Sequence, residues 1–373
     1  MHMQQIRSKL LRVMFVIAMV SLLFGIAPRG ALAQGGSGAV YVLTNQTSGN
    51  SVMVYRRAPD GTLSLGGTFS TGGTGLGTGA DPLASQGSLV LGRGQRLLFA
   101  VNAGSNDISV LAVEGLRLQL LDKAPSGGQM PVSLAVRGRL VYVLNAGGTP
   151  NIEGFVINPF TNRLVTLPGS LRNLPGGAAA APAQVSFSPD GDVLMVTEKG
   201  TNKIDTWTVN DDGYAGHPMT FDSHGATPFG FAFAHGEFVV VSEAGPSALS
   251  SYQVENDGGV ELITGSLGDT QKANCWVVTT GDGRYAYTTN SGSGSISSYT
   301  VSRDGMLSLL DATAGMPGGA SVDAALSTAS RFLYVRDGAN NVVDGFRVGR
   351  GGGLTSVGSA SGVPAGAQGI AAR

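Results

Sequence analysis

The sequence contains a single cysteine, Cys275, among 373 residues. No intrachain disulfide can form, so the fold must be held together by its hydrophobic core. Cys275 is followed by Trp276 in an apolar stretch, which predicts a buried and unreactive thiol. The chain is also poor in histidine, with four in total. His217 and His224 lie close together without a third ligand, and this spacing is typical of surface residues rather than of a metal site. We therefore expect no metal and no cofactor.

Charged residues make up only 13% of the chain, and the formal net charge is −1. Because the N-terminal segment holds basic residues and no acid, the remainder of the chain is mildly acidic. Binding to a phosphate backbone requires a concentrated basic surface. The net charge therefore argues against a nucleic-acid partner.

Long hydrophobic runs are missing except near the N-terminus. Arg7, Lys9 and Arg12 precede an apolar run at residues 13–26, and Ala-Leu-Ala follows at 31–33. This pattern predicts a signal peptide over residues 1–33 and a mature chain over 34–373. A 14-residue run is short for a membrane span, which needs about 20 residues. We expect export to the periplasm or the extracellular space without a membrane partner after cleavage; an uncleaved anchor is the alternative.

What the chain does have is a repeat of about 45 residues, a length typical of one propeller blade. In each repeat a short apolar strand ends in Asn, Asp or Glu, and a polar gap and another strand follow. The seven strands that end in this way are predicted at residues 39–45, 97–102, 140–145, 193–198, 238–243, 285–290 and 332–337. Asp-Gly turns and 58 glycines suit short antiparallel strands. The repeat predicts an all-β fold, a seven-bladed β-propeller of four-stranded antiparallel blades.

The two ends of the chain predict how the ring closes. Residues 364–372 (PAGAQGIAA) resemble residues 82–90 (PLASQGSLV), which the repeat assigns to the inner strand of blade two. The first blade lacks an inner strand of its own. We therefore expect the C-terminal strand to complete blade one and to remove the exposed edges of an open array. Gly-rich residues 66–81 are expected to form a connection between blades rather than a phosphate loop, since no helix pattern follows them.

Several segments resemble the secreted bacterial lactonase-type propellers, a family related to 6-phosphogluconolactonase and carboxymuconate cyclase. They are residues 81–88 (DPLASQGS), 99–109 (FAVNAGSNDIS), 140–148 (LVYVLNAGG), 186–198 (SFSPDGDVLMVTE) and 273–283 (ANCWVVTTGDG). The resemblance implies a monomeric seven-bladed propeller that hydrolyses or forms a small polar lactone. The His, Arg and Glu constellation of characterised cyclases cannot be mapped onto this sequence. It therefore stays open whether the chain is an enzyme or a non-catalytic extracellular module that binds a protein, a glycan or a small molecule.

Candidate site residues follow from the blade pattern, because strand ends and blade connections open on one face around the channel. Glu198 and Glu243 interrupt the Asn pattern on adjacent blades, and either can act as a base for lactone hydrolysis. Arg336, Lys199 or the ring of amides can assist by stabilising the oxyanion. The candidate binding residues on the same face are Asn102, Asn145, Gln184, Asn290, Trp276, Asp323 and Asp337. Polar residues also end strands simply because they cap turns and face water. No Gly-x-Ser-x-Gly elbow indicates a serine nucleophile.

Overall fold

The computed structural model describes residues 37–373, and the predicted signal peptide lies outside the described residues. Seven antiparallel sheets follow one another along the chain. Each inner strand contacts the inner strands of the blades before and after it, so the sheets form a closed ring. The prediction of a seven-bladed propeller is confirmed.

Each blade is built from an inner, a second, a third and an outer strand, counted outward from the axis of the ring. In order from blade one to blade seven, the inner strands are Ile370–Ala372, Leu89–Gly92, Gln129–Arg137, Pro182–Phe187, Pro228–Phe233, Asn274–Thr279 and Ser321–Leu326. The second strands are Gly38–Leu43, Leu97–Asn102, Leu140–Gly147, Val193–Glu198, Phe238–Glu243, Tyr285–Asn290 and Phe332–Asp337. The third strands are Ser51–Arg57, Asp107–Glu114, Asn151–Ile157, Lys203–Thr208, Ala248–Val254, Ser295–Val301 and Val342–Val348. The outer strands are Leu63–Ser70, Arg117–Pro125, Leu164–Thr166, Met219–Asp222, Val260–Gly268, Leu307–Gly315 and Leu354–Ala360.

Little regular structure lies outside these strands. Arg172–Asn173 adds a short pairing to the third strand of blade three, and Gly177–Ala179 forms one 3₁₀ turn. Within residues 37–373 no helix is long and apolar enough to cross a membrane.

Ring closure occurs as the repeat predicts. Ile370–Ala372 pairs antiparallel with residues 40–42, the second strand of blade one. Ala39 and Arg373 exchange backbone hydrogen bonds at the end of this pairing. The first blade is therefore completed by residues 370–372, and the second strand Gly38–Leu43 is not left as an edge strand.

Tyrosines of the second strands link neighbouring blades in a repeated way. The hydroxyls of Tyr142, Tyr287 and Tyr334 each donate to a glycine carbonyl in the outer turn of the next blade, at 2.8–2.9 Å. The acceptors are Gly213, Gly352 and Gly61. All three glycines have positive φ, between 80° and 98°, which a residue with a Cβ adopts only under strain. The Asp-Gly turns noted in the sequence thus also serve the packing between blades.

The propeller has two distinct faces. The loop face carries the loops between second and third strands and the connections from one blade to the next. These two sets of segments are hydrogen-bonded to each other, as in Thr71 N to Asn50 O and Ser223 N to Asn202 O, both 3.0 Å. The turn face carries the tight turns between first and second strands and between third and outer strands. Gly38 and Arg373 both lie on the turn face.

One predicted element is different in the structure. The inner strand of blade two is only Leu89–Gly92, and residues 81–88 are not part of a strand. The glycine-rich connection is also displaced, since Leu63–Ser70 forms the outer strand of blade one. Residues 71–88 therefore form one long connection, and its second half enters the centre of the ring.

Candidate functional site at the mouth of the channel

The strand-end amides are buried and hydrogen-bonded to the loops and connections around them. Asn102 Nδ2 donates to Asp107 Oδ1 at 2.6 Å and to Ser109 Oγ at 2.8 Å. Asn102 also reaches the preceding blade, because its Oδ1 accepts Asn50 Nδ2 at 3.0 Å. Asn290 Nδ2 makes the equivalent bonds to the hydroxyls of Ser295 and Ser297. Asn145 likewise reaches Asn151 Oδ1, at 3.0 Å. These residues hold the loop that follows them, which is the capping role of short polar side chains.

Glu198 is fully buried in blade four. Its Oε1 accepts the amide N–H of Gly176 at 3.1 Å, and its Oε2 accepts the hydroxyl of Thr201. The neighbouring carboxyl group is Asp205 on the third strand of the same blade. Burial, together with the adjacent Glu198, raises the pKa of Asp205 to about 8. The carboxyl beside Glu198 is thus held protonated at neutral pH.

Glu243 and Asp337 also bind segments of their own blades. Glu243 is fully buried; its Oε1 accepts Gly225 N at 2.8 Å and Ser250 Oγ at 2.5 Å, and its Oε2 accepts Ser266 Oγ. Asp337 Oδ1 accepts the amides of residues 339 and 340, both at 3.0 Å. The assignment of a catalytic base to Glu198 or Glu243 stays a prediction.

Arg336 is buried between blade seven and the closing segment. It donates to the carbonyl oxygens of Asp337 and Pro364 and to Asn341 Oδ1. Burial lowers the pKa of Arg336 to about 10. The hydroxyl of Tyr55 in blade one lies near Arg336 and raises its pKa in turn. This position fits a residue that secures the seam where the ring closes.

The centre of the ring is shaped by a bulge that recurs in the inner strands. Blades three to seven each show a register shift near the start of the inner strand. The shift leaves one or two residues unpaired, and such a bulge re-aims side chains. In blades four to six these residues include Ala183, Phe229 and Cys275, which pack with Trp276 and Val322 in one apolar cluster. Four blades contribute to this cluster, so it lies at the axis of the ring.

Residues 81–88 cross the channel and bind to several blades. Ser85 Oγ donates to Val132 O in blade three, and Ser85 O accepts Trp276 Nε1 of blade six, both at 2.8 Å. Gln86 bonds to both the N–H and the C=O of Val277. We call residues 81–88 the crossing segment. It fills the middle of the channel, and we call the loop-face end of the channel, where the segment begins at Asp81, the channel mouth.

Asp81 begins the crossing segment and is half-buried. Its Oδ1 accepts Gln368 Nε2 at 2.6 Å and Ala84 N at 2.9 Å. Both hydrogen bonds that Asp81 accepts from the described residues go to this one oxygen, which leaves Oδ2 available to a ligand or to water. Burial raises the pKa of Asp81 to about 6. A carboxylate with such a pKa is suited to general-base chemistry near neutral pH.

Lys199 follows the second strand of blade four and lies beside the crossing segment. Its Nζ donates to Ala84 O at 2.6 Å and to Pro182 O at 3.0 Å, and it lies 5.0 Å from the centre of the Phe229 ring. Burial lowers the pKa of Lys199 to about 8, although the charge of Asp81 opposes this shift. An ammonium has three N–H donors, so one remains for a substrate oxygen.

Asp323 and Cys275 complete the surroundings of this pair. Asp323 is 2% exposed, with φ of 62°, and its Oδ2 accepts Ile370 N at 3.2 Å. Burial raises its pKa to about 7, with Asp81 adding to the shift. Burial also raises the pKa of the Cys275 thiol to about 12, so the prediction of an inert thiol is confirmed.

Three predicted binding residues do lie at the channel. Trp276 and Asp323 are buried beside the crossing segment, and Gln184 bridges to the N–H and C=O of Phe231 in the next blade. His217 and His224 are exposed, as expected. Within residues 37–373 no group of three or more His, Cys, Asp or Glu side chains is arranged to hold a metal ion.

Sequence reasoning missed Asp81 as a site residue and weighed Lys199 only as a helper. The available signal was the segment DPLASQGS, which lacks the alternation of a strand. The repeat assigned it to an inner strand, whereas its polar residues bind across the channel.

Comparison with known proteins supports the fold. The family described as "Lactonase, 7-bladed beta-propeller" matches residues 161–278. A putative 6-phosphogluconolactonase from Bacteroides fragilis superposes with a TM-score of 0.68 at 18% identity, covering 90% of this chain and 98% of that one. The periplasmic gluconolactonase of Pseudomonas aeruginosa gives a TM-score of 0.69 at 18% identity, covering 89% and 99%.

More distant propellers share the architecture as well. A streptogramin B lyase gives a TM-score of 0.55 at 13% identity, covering 77% of this chain and 88% of that one. No curated protein matches the sequence significantly. At these identities the structural likeness concerns the fold. The resemblance noted in the sequence is confirmed: residues 161–278 match the seven-bladed lactonase family, and the described chain shares its fold with the putative 6-phosphogluconolactonase and the gluconolactonase.

Proposed function

We propose that the protein is a lactonase-like hydrolase whose active site is the channel mouth on the loop face. The observation that carries this proposal is the environment of Asp81. One of its oxygens is fixed by two donors, the other is available, and its pKa is raised to about 6. The match of residues 161–278 to the lactonase family supports the same chemistry.

The reaction follows from the two charged groups. Asp81 takes a proton from a water molecule as the water oxygen attacks the lactone carbonyl carbon. The tetrahedral intermediate carries a negative oxygen, which the Lys199 ammonium stabilises. The ring C–O bond then breaks, and the proton held by Asp81 passes to the departing alkoxide, which gives a hydroxy acid. The buried ring of Phe229 lies 5.0 Å from Lys199 Nζ and gives the ammonium an apolar neighbour.

A pH profile tests the proposed roles. Asp81 must be ionised, so activity rises as the pH passes about 6. Lys199 must be protonated, so activity falls as the pH passes about 8. We expect a bell-shaped dependence of kcat/KM with a maximum near pH 7, measured on a panel of small lactones with spontaneous hydrolysis subtracted.

The matched variants are Asp81→Asn and Asp211→Asn. Asp211 is exposed on the turn face and serves as the control. Turnover of a lactone that Asp211→Asn retains and Asp81→Asn loses supports the proposal. A panel without any turnover overturns it.

The alternative function is a non-catalytic extracellular module that binds a small molecule or a surface ligand at the same face. The observation that favours it is the crossing segment, because Ser85 and Gln86 fill the channel and make the mouth shallow. Under this alternative Asp81 and Lys199 fix the orientation of a polar ligand. Saturable binding of a lactone without its hydrolysis distinguishes the two functions.

Export is part of the proposal. It rests on the basic, apolar and small-residue pattern of residues 1–33. Sequencing the N-terminus of material recovered from the culture medium or periplasm tests it, and a start near Gln34 is the expected result.

A further inference from the structure

Within the described part of the chain, residues 37–373, lysine and arginine are distributed unequally over the two faces. Lys123, Lys199, Lys203 and Lys272 all belong to segments of the loop face. Almost all arginines lie instead in, or within two residues of, the turns of the turn face. A net charge near zero for the whole chain conceals this separation.

On the turn face the arginines are concentrated on four consecutive blades. Blades seven and one contribute Arg331, Arg347, Arg350, Arg56, Arg57 and Arg373. Blades two and three contribute Arg93, Arg96, Arg117, Arg137, Arg139 and Arg163. We call these twelve residues the arginine arc. Only Asp60 and Glu114 oppose them in the same turns, so the side chains of the arc and its turns carry a net charge of +10.

The same face is acidic on the opposite side of the ring. The turns of blade four carry Asp190, Asp192, Asp211 and Asp212, and those of blade five carry Glu237, Glu255, Asp257 and Glu261. These turns contain no lysine or arginine. Blade six is balanced, with two arginines and two aspartates. The turn face therefore has a basic side and an acidic side.

Most arginines of the arc are exposed, with Arg57 the buried exception. Several are held by backbone carbonyls: Arg139 Nε donates to Ile157 O at 3.0 Å, and Arg373 donates to Gly115 O at 2.5 Å. Such bonds orient a guanidinium without neutralising it.

One end of the arc borders a cavity of about 490 Å³ between the turns of blades six and seven. Arg284, Arg331 and Arg350 line it together with the hydroxyl-bearing residues Thr328 and Ser330. Asp282 is the one acid in its lining. Guanidinium and hydroxyl donors are the groups that bind sulfate and carboxylate oxygens.

We propose that the arginine arc binds a linear acidic polysaccharide, with the cavity between blades six and seven receiving one of its anionic groups. Arginine in place of lysine fits this ligand, because the planar guanidinium binds carboxylate and sulfate groups through two parallel hydrogen bonds. The arc spans four neighbouring blades, so its charges follow a path that a flexible chain can trace.

The distribution of charge argues against other partners. A flat anionic membrane would also approach the eight acids of blades four and five, which lie on the same face. Single-stranded nucleic acids use several stacked aromatic rings, whereas Phe160 is the one large aromatic side chain in the arc's turns that is exposed, at 92%.

The test uses full-length mature protein and heparin as the probe. Heparin carries sulfate and uronate groups, and neutral dextran serves as the uncharged comparison. We expect heparin binding to weaken steeply with salt between about 50 and 200 mM, as for other polyanions, and no binding to dextran. Binding of both polymers alike would overturn the proposal.

Two triple variants locate the surface. Arg137→Gln/Arg139→Gln/Arg163→Gln removes three charges from the arc. Lys123→Gln/Lys203→Gln/Lys272→Gln removes the same number from the loop face. We expect heparin affinity to fall by about tenfold or more in the first variant and by less than about threefold in the second. Equal losses would show that net charge alone drives binding, and the arc would not be a site.

Further binding experiments distinguish an acidic polysaccharide from other classes of partner. The polysaccharide proposal fails if single-stranded DNA or vesicles containing phosphatidylserine bind more tightly than heparin at equal salt. It also fails if sedimentation shows salt-sensitive dimers that the arc variant abolishes and heparin does not bind the monomer. Lactone turnover is measured on the same variants. Because the arc lies on the face opposite the channel mouth, its variants should retain that activity, so the two proposals fail independently.

Discussion

Glu243 and Asp81 are both carboxylates of the loop face, but their surroundings differ. Glu243 ends a strand, is fully buried, and has donors on both oxygens. Asp81 lies on the segment that crosses the channel, is half-buried, and has both of its donors on a single oxygen. The first arrangement uses the charge to hold the blade together. The second leaves an oxygen with which a water molecule can react.

The same contrast holds for the two rings of residues. Strand-end side chains such as Asn290 bind the loops of their own blades. Residues at the channel mouth bind across blades, as Gln368 does with Asp81 and Trp276 with Ser85. A polar residue in a repeated position is thus explained by the repeat, whereas one that breaks the repeat and bridges blades is the better candidate for function.

The largest effect is expected from removing residues 364–373. Ile370–Ala372 supplies a strand of blade one, and Gln368 binds Asp81, so this change opens the ring and dismantles the channel mouth together. We expect a loss of several kcal/mol of stability or aggregation, as for other losses of a buried element. Thermal unfolding followed by light scattering measures this. A truncated protein that melts at the wild-type temperature would contradict the role of the strand.

Asp81→Asn tests whether the carboxylate at the channel mouth, unlike those at the strand ends, acts as the base. The amide keeps the shape of the side chain and removes the base, so kcat/KM on the best lactone should fall by about 100-fold or more. The melting temperature should change little or rise, since a partly buried charge is removed. Unchanged activity would mean that the base lies elsewhere.

Glu198→Gln and Glu243→Gln make the opposite comparison. Each variant replaces an acceptor oxygen by an amide group next to a hydroxyl, that of Thr201 or Ser266. We expect a destabilisation of about 1–3 kcal/mol and activity within about threefold of wild type. A 100-fold loss of kcat with unchanged stability would instead identify the strand-end glutamate as the base.

The smallest effect is expected from Asp205→Asn and concerns pH. The pKa of Asp205 is raised to about 8 in the folded protein. The unfolded state therefore releases this proton at lower pH than the folded state, so wild-type stability falls as the pH rises from about 4 to about 8. Asn removes this dependence and can donate to Glu198.

The stability gained by Asp205→Asn over wild type should therefore increase with pH. Melting temperatures of both proteins at pH 5 and pH 8 measure it. A difference that does not grow between these pH values would contradict the raised pKa.

The blades were predictable from sequence because they depend on local signals. The apolar runs and their polar ends place the second strands of blades two, four, five, six and seven with the bounds that the structure shows. The channel mouth was not predictable in the same way. Asp81, Lys199, Cys275 and Gln368 come from distant parts of the chain, and only the closed ring brings them together.

The hydrogen bond between Gln368 and Asp81 joins residues 287 positions apart in the sequence. A ribosome has translated nearly all of the protein before Gln368 exists, and the preceding fragment cannot contain a finished channel mouth. During synthesis the chain therefore carries its charged groups without the geometry to use them. Catalytic competence, on the function proposed above, begins only when the final residues dock, and this makes lactone turnover a direct report of complete, correctly folded product.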